Sequence, residues 1–295
     1  MVNSKGRLAE AYTCVSPCTS KITDTGFSYT ARGEPSDAHE STQHSLGYYH
    51  VAQSYWANGA LNQLSGLSGS GLPIITYNVD GEGRRYSASS SSGQNPLVGT
   101  NYNVASLPTQ VGLGSADSDA FTYDPNTDRM TKYQFDMNGQ SVVGTLTWNS
   151  IGTLASLAVT DPFNSADAQT CTYIHDDLTR IASANCGSEW SQTFSYDAFG
   201  NLSKSGSMSF QPTYSTSTNR MTQIGGSTPT YDANGNVTND FLHTYAWDAV
   251  GRPVTIDGVV VTYDALGRMV EQNKSGRISQ IVYAPSGFKL AIMNG

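Results

Sequence analysis

Short runs of alternating apolar and polar residues recur along the chain, as in Gln192-Thr193-Phe194-Ser195-Tyr196, Val143-Gly144-Thr145-Leu146-Thr147-Trp148 and Val259-Val260-Val261-Thr262-Tyr263. A period of two sends successive side chains to opposite faces of an extended backbone, so each run predicts a β-strand. Gly, Asn, Asp and Ser separate the runs, and these residues make turns. No stretch shows a convincing 3.6-residue period with caps; a short helical turn over Asp37 to Tyr48 is the one helical expectation. The pattern predicts an all-β chain of consecutive antiparallel hairpins. Each holds few large apolar groups, so neighbours must cover one another.

One phrase punctuates the runs. It reads Tyr196-Asp197-Ala198-Phe199-Gly200-Asn201, Tyr231-Asp232-Ala233-Asn234-Gly235-Asn236 and Tyr263-Asp264-Ala265-Leu266-Gly267-Arg268, with Trp247-Asp248-Ala249-Val250-Gly251-Arg252 as a variant. Asp followed three residues later by Gly suits a type I turn in which the Asp side chain accepts from turn amides and the Gly takes a positive φ. The phrase therefore predicts a hairpin tip, with Tyr or Trp closing the incoming strand and Arg or Asn opening the returning one. The opposite turns come from Asp257-Gly258 and Asn273-Lys274-Ser275-Gly276.

Weaker copies extend the repeat: Tyr29 with Gly33, Trp56 with Gly59, Tyr77-Asn78 with Gly81 and Gly83-Arg84, Tyr123-Asp124 with Asp128-Arg129, Phe135-Asp136 with Gly139, Trp148 with Gly152, Tyr173 with Asp177-Leu178-Thr179-Arg180, Tyr214 with Asn219-Arg220, and Tyr283 with Gly287. Residues 1–295 thus read as a single repeat array, degenerate over 1–120 and clearer over 121–295. The Gly- and Ser-rich runs at 64–71 and 87–93 are expected to be mobile loops within it. Gly6-Arg7-Leu8 looks like the second half of a phrase, and a strand at Lys289 to Met293 runs almost to the end. Both ends read as cuts through a longer array.

Composition narrows the function. Charged residues make up 14%, while Gly at 29 and Tyr at 17 favour turns and strands. A net charge of −8 with scattered Lys and Arg argues against nucleic acid or an anionic membrane as partner. No apolar run approaches the roughly 20 residues of a membrane-spanning helix, and residues 1–7 lack the apolar segment of a signal peptide.

Candidate chemistry is sparse. The fixed place of Asp197, Asp232, Asp248 and Asp264 before x-x-Gly assigns them to turn capping rather than to acid–base or metal chemistry, and Asp124, Asp136 and Asp177 are read the same way. His39, His44 and His50 are close in sequence, but spacings of five and six do not set ligands on one face. The nearest approach to a nucleophile elbow, Gly69-Ser70-Gly71, lacks the flanking pattern, and no phosphate or dinucleotide loop is present. Neither a cofactor nor an active site is expected. Cys14 with Cys18 and Cys171 with Cys186 form two local pairs, which read either as disulfides or as buried free thiols. Aromatic rings at fixed repeat positions are assigned to packing; Tyr48-Tyr49 and Tyr55-Trp56 are the candidates for stacking on a sugar.

The phrases from Tyr196 to Arg268 resemble the YD repeats of the Rhs family, shared with shell proteins of insecticidal toxin complexes and with teneurins, and weaker copies carry the likeness from about Gly6 to Gly287. The resemblance implies a continuous spiralling sheet forming part of a hollow β-shell around a toxic C-terminal segment of the same polypeptide, in a bacterial protein that is secreted or at the cell surface. Self-cleavage and toxicity in that family belong to segments after the repeats, and nothing after Gly287 resembles them. The expected role is a non-catalytic wall. A glycan-binding or adhesion module is the alternative, and a hydrolase using carboxylate pairs is a distant third.

Overall fold

The computed structural model describes residues 1–67, 70–114 and 116–294. Every named strand pairs antiparallel with at least one neighbour in sequence, and no sheet contains a crossover. Among the described residues the one helical element is the 3₁₀ turn Ser165–Asp167. This is the all-β hairpin architecture that the alternating runs predict.

The chain forms two compact units. One comprises Met1–Gly93 and Thr230–Gly295. It holds a seven-stranded sheet running from Glu10–Cys14 to Arg85–Ser90, a short pair Thr230–Tyr231 with Val237–Asn239, and a six-stranded sheet from Tyr245–Trp247 to Lys289–Asn294. The other, Gln94–Pro229, holds a ten-stranded sheet from Gly99–Tyr102 to Leu202–Gly206 and the short pair Thr213–Tyr214 with Met221–Gln223.

Large apolar cores are absent from both units among the described residues. In the first, Val51, Leu64, Leu67, Val282 and Ala284 pack together, and Val270, Ile281 and Tyr283 form a second cluster. In the second, the buried residues among those described are Thr100, Gly144, Cys171, Ala184, Cys186, Gln192, Pro212 and Pro229, two of them polar. Cys171 and Cys186 are joined as a disulfide that continues the ladder past Thr172 opposite Asn185. Cys14 and Cys18 close the loop containing Pro17.

Two expectations are overturned. The segment expected as a helical turn contains the strand Pro35–Ser41, paired on both sides, with Ala38 between Phe27 and Val51. Its period of two was hidden because the inward positions are Ala38 and Glu40, and one of these is charged. The Gly/Ser runs are strand in part: Leu64–Gly66 ends the strand Leu61–Gly66, and Ser87–Ser90 ends Arg85–Ser90. Ser68 and Gly69 lie outside the described residues. Gly66 fits there because a Cβ on it would lie 2.8 Å from the Val51 Cα.

The phrase glycines take the conformation assigned to them, with φ of 94° at Gly235 and 77° at Gly267. A Cβ on Gly267 would meet only Arg252 Nη1, at 3.8 Å, so the constraint there is backbone conformation and not space. Replacing Gly235 or Gly267 by Val is expected to destabilise the fold by about 1–3 kcal/mol in urea unfolding, because a β-branched residue is strained at such a φ. Parental stability in both variants would contradict the hairpin-tip assignment.

Candidate functional site: a repeated hairpin tip

The tip at 263–268 shows what the phrase builds. Gly267 N–H donates to the Asp264 carbonyl at 3.0 Å, and Asp264 N–H donates to the Arg268 carbonyl at 2.9 Å. Two turn amides, those of Leu266 and Arg268, donate to Asp264 Oδ1 at 2.9 and 2.8 Å, while Arg268 Nε and Nη2 donate to Oδ2, both at 2.7 Å. The carboxylate is thus saturated from two sides. Asp248 with Arg252 repeats the arrangement. At Asp197 and Asp232 the side-chain amides of Asn201 and Asn236 take the place of the guanidinium.

The same tip occurs where the phrase is worn, in places at a different residue from the one expected. Asp80, not Tyr77-Asn78, caps the tip ending in Gly83-Arg84, and Asp176, not Asp177, caps the one ending in Arg180. There Thr179 stands in the glycine position with φ 62°. Asp136 is not a turn residue: it lies in the strand Met130–Met137, and the turn is Asn138-Gly139, with φ of 52° and 75°. Trp56 occupies the capping position after Tyr55, and Asn103 after Tyr102 caps a tip that no copy of the phrase announces.

The outer residues of the phrase link each hairpin to the one before. The aromatic N–H or O–H donates to the backbone carbonyl opposite the preceding aromatic: Tyr55 to Pro35 at 2.7 Å, Tyr123 to Pro108 at 2.9 Å, Trp148 to Met130 at 2.8 Å, Tyr263 to Pro253 at 3.0 Å and Tyr283 to Met269 at 2.8 Å. The preceding Arg lies over the same ring, as Arg180 does over Tyr196 at 4.1 Å, Arg252 over Tyr263 at 4.9 Å and Arg268 over Tyr283 at 4.4 Å. That Arg also passes under the next phrase glycine; a Cβ on Gly152 would lie 2.5 Å from Arg129 Nη2. Arg7 stands in this relation to Tyr29 and Gly33, and Tyr29 donates to the Leu8 carbonyl at 2.8 Å.

Residues 120–293 match the family described as Teneurin YD-shell. The chain belongs to that family. Solved structures share the fold: the crystal structure of TcdB2-TccC3 without its hypervariable C-terminal region has a TM-score of 0.76 at 13% identity, covering 97% of this chain and 18% of that one. For TcdB2-TccC3 the values are 0.72, 15%, 92% and 17%, and for the Tc holotoxin pore of Photorhabdus luminescens 0.63, 14%, 93% and 17%. The chain therefore spans under a fifth of the length of these neighbours. No curated protein matches it in sequence.

In the first unit, distant parts of this YD-shell chain meet through buried polar groups that sequence reasoning missed. Arg268 Nη2 donates to Glu40 Oε1 at 2.6 Å and Tyr283 N–H to Glu40 Oε2 at 2.9 Å. Glu271, 2% exposed, accepts from Thr42 at 2.6 Å and from Gln280 at 3.3 Å, and pairs with His44 Nδ1 at 2.7 Å. The repeat pattern could not announce them, because Glu40 and Glu271 are inward strand positions where an apolar residue is the expectation.

The remaining candidates separate. His39 and His50 are direct cross-strand partners with stacked rings 4.2 Å apart, whereas His44 turns to Glu271. Spacing of five and six did not exclude a shared face for His39 and His50, because a hairpin brought them opposite. Among the described residues no group of three or more His, Cys, Asp and Glu is placed to hold a metal. Tyr49 donates to Gln280, Tyr55 to Pro35, and the Trp56 indole to the Tyr77 carbonyl at 2.9 Å, so these polar handles are engaged within the chain.

Electrostatics follow the geometry. The guanidinium of Arg180 holds the Asp176 carboxyl below its ordinary value, the amides of Asn201 and Asn236 do so for Asp197 and Asp232, and the Arg252 backbone N–H leads at Asp248. Burial raises Glu40, more than the Tyr283 N–H and Arg268 lower it. Lowered carboxyls mean that the folded chain binds fewer protons than the unfolded one, so their stabilisation is complete above an ordinary carboxyl value of about 4 and is lost as pH falls below it. Glu40 and Asp119 act in the opposite sense, two groups against the four tip carboxyls and further lowered ones at Asp80, Asp124 and Asp136. Thermal midpoints are accordingly expected to drop steadily from pH 5 to pH 2.5, and a flat profile would contradict the tip geometry.

Truncating Glu40 leaves the Arg268 guanidinium with one partner fewer and the Tyr283 N–H with none. Glu40→Ala is expected to cost about 3–5 kcal/mol, the range for breaking a buried ion pair. Combined with Arg268→Ala, the loss in urea unfolding should fall short of the sum of the single losses. Additive losses would mean that the two do not interact.

Proposed function

We propose that this chain is a stretch of non-catalytic β-wall that encloses or presents a C-terminal polypeptide of the same protein, exported to the outside or the surface of a bacterium. The observation that carries the reading is the saturated tip aspartate. A carboxylate with both oxygens bonded and its proton affinity lowered is a poor general base or metal ligand near neutral pH, and a sequence that repeats it is maintaining hairpins. Membership of the YD-shell family supports a structural role. No helix among the described residues is long and apolar enough to cross a membrane.

The test begins with the coding region beyond Gly295. A following segment is expected, and in the intact product it should resist protease at concentrations that digest the same segment expressed alone. A stop codon directly after Gly295, or digestion at equal rates, would overturn the enclosure reading.

A further inference from the structure

One tip departs from the others in a way that opens its charged pair. At four tips the Arg follows the capping Asp by four residues, and its Nε donates to the outer carboxylate oxygen. Arg84 does so to Asp80, Arg180 to Asp176 and Arg268 to Asp264 at 2.7 Å, and Arg252 to Asp248 at 2.8 Å. Between Asp124 and Arg129 the loop Pro125-Asn126-Thr127-Asp128 is one residue longer. It closes with the Asp128 N–H on the Asp124 carbonyl at 2.9 Å, and Asp128 takes the positive φ, 54°. Asp124 Oδ1 accepts from the Asn126 and Thr127 N–H groups at 3.0 and 2.9 Å and from the Thr127 hydroxyl at 2.9 Å. Among the described residues no donor reaches Asp124 Oδ2, and Arg129 makes neither a hydrogen bond nor an ion pair, with Asp128 or any other group. Packing beneath Gly152 positions the guanidinium without satisfying its N–H groups.

Asp124 and Arg129 line one cavity of about 440 Å³, together with Leu146, Trp148 and Ser150. That volume lies in the range of small-molecule pockets, roughly 300–1,000 Å³. The Thr127 hydroxyl leads in holding the Asp124 carboxyl below its ordinary value, and Arg129 contributes by charge alone. A guanidinium keeps its proton at any pH a protein tolerates. The two groups are therefore opposite charges that face one cavity without touching.

A simple anion in this cavity would satisfy Arg129 and be repelled by Asp124, and a simple cation would meet the reverse. An α-amino acid carries both charges one carbon apart. Its carboxylate matches the fork of the guanidinium, and its ammonium can donate to Asp124 Oδ2. Leu146 and Trp148, whose indole N–H is already committed to the Met130 carbonyl, offer apolar surface to its side chain. We propose that this groove binds a free α-amino acid with an apolar side chain, its carboxylate on Arg129 and its ammonium on Asp124 Oδ2.

NMR titration of the whole chain with L-leucine tests this, read at the Arg129 Nε–H and Trp148 indole N–H signals. 4-Methylpentanoate carries the same stem without the ammonium, and 3-methylbutylamine carries it without the carboxylate. L-Leucine is expected to bind at least tenfold more tightly than either. Arg129→Gln should weaken it at least tenfold, and it costs the fold no ion pair. Asp124→Asn should do the same through Oδ2 alone, because an Asn carbonyl can cap a tip, as Asn103 does for the Ala105 and Leu107 N–H groups at 3.0 and 2.9 Å. Either variant decides the matter if the other does not fold. Binding of 4-methylpentanoate or 3-methylbutylamine as tightly as L-leucine, no shift of either signal with L-leucine, or full binding by either folded variant would overturn the proposal.

Discussion

An aspartate carboxylate with no lone pair left over is the constraint on which the rest of the chain depends. A three-residue hairpin tip turns backbone amides away from the sheet ladder, and they need an acceptor. Asp264 supplies one with Oδ1, which leaves Oδ2 to fix Arg268. Once fixed, that guanidinium lies over Tyr283, the aromatic of the next hairpin, whose hydroxyl bonds back to Met269. A local turn preference thereby becomes a contact between hairpins. Gly completes it twice over, through its φ at the tips that carry it and, at Gly152, by making room for the preceding Arg129. Remove the carboxylate and three levels lose support together: the turn, the orientation of the Arg, and the stacking of the following ring.

Stability distributed in this way resembles that of repeat proteins, where each unit contributes its own term and a neighbour term. It explains how a ten-stranded sheet persists with so few buried residues: ladder bonds, ring-to-carbonyl bonds and one cross-strand disulfide stand where a thick core would otherwise be. The first unit adds contacts between residues more than two hundred positions apart, apolar where Val51 and Leu64 meet Val282 and Ala284 and polar at Glu40 and Glu271. Buried ionic groups seldom contribute more than apolar ones would, and they do select one docking arrangement over its neighbours. Glu40 is such a selector, since it requires Arg268 on one oxygen and the Tyr283 amide on the other. An apolar residue in its place could slide.

What was legible in the sequence tracks this division. The tips at Tyr196, Tyr231, Trp247 and Tyr263 were readable because turn chemistry is local, and the all-β fold followed from them. Where a tip lost its Tyr or its Gly the register of the phrase was misjudged, as at Asp80 and Asp176, because the capping position is defined by which amides it accepts from and not by the aromatic before it. Pro35–Ser41 was misread for a related reason: a charged residue on the inward face breaks the period of two, and only its distant partners, Arg268 and Tyr283, make it a core residue. The stacking of His39 on His50 was hidden because it depends on where a turn falls between them. At Glu40 the missing information was a long-range pairing; at Asp80 and Asp176 it was local, the identity of the amides that each carboxylate accepts from.

The same physics indicates where function can reside. Tip residues are committed to holding hairpins together, their carboxylate oxygens engaged by turn amides and by the Arg or Asn that follows. Glu40 and Glu271 apart, residues on the sheet faces between tips carry less of this duty. A strand position can be Gly, as at Gly26, or His, as at His39, while the tips on either side keep their geometry. A chain that fixes its architecture at the rim is therefore free to vary its faces. Variation between members of such a family is therefore least constrained on those faces, and most constrained in the repeated phrase that makes the family recognisable.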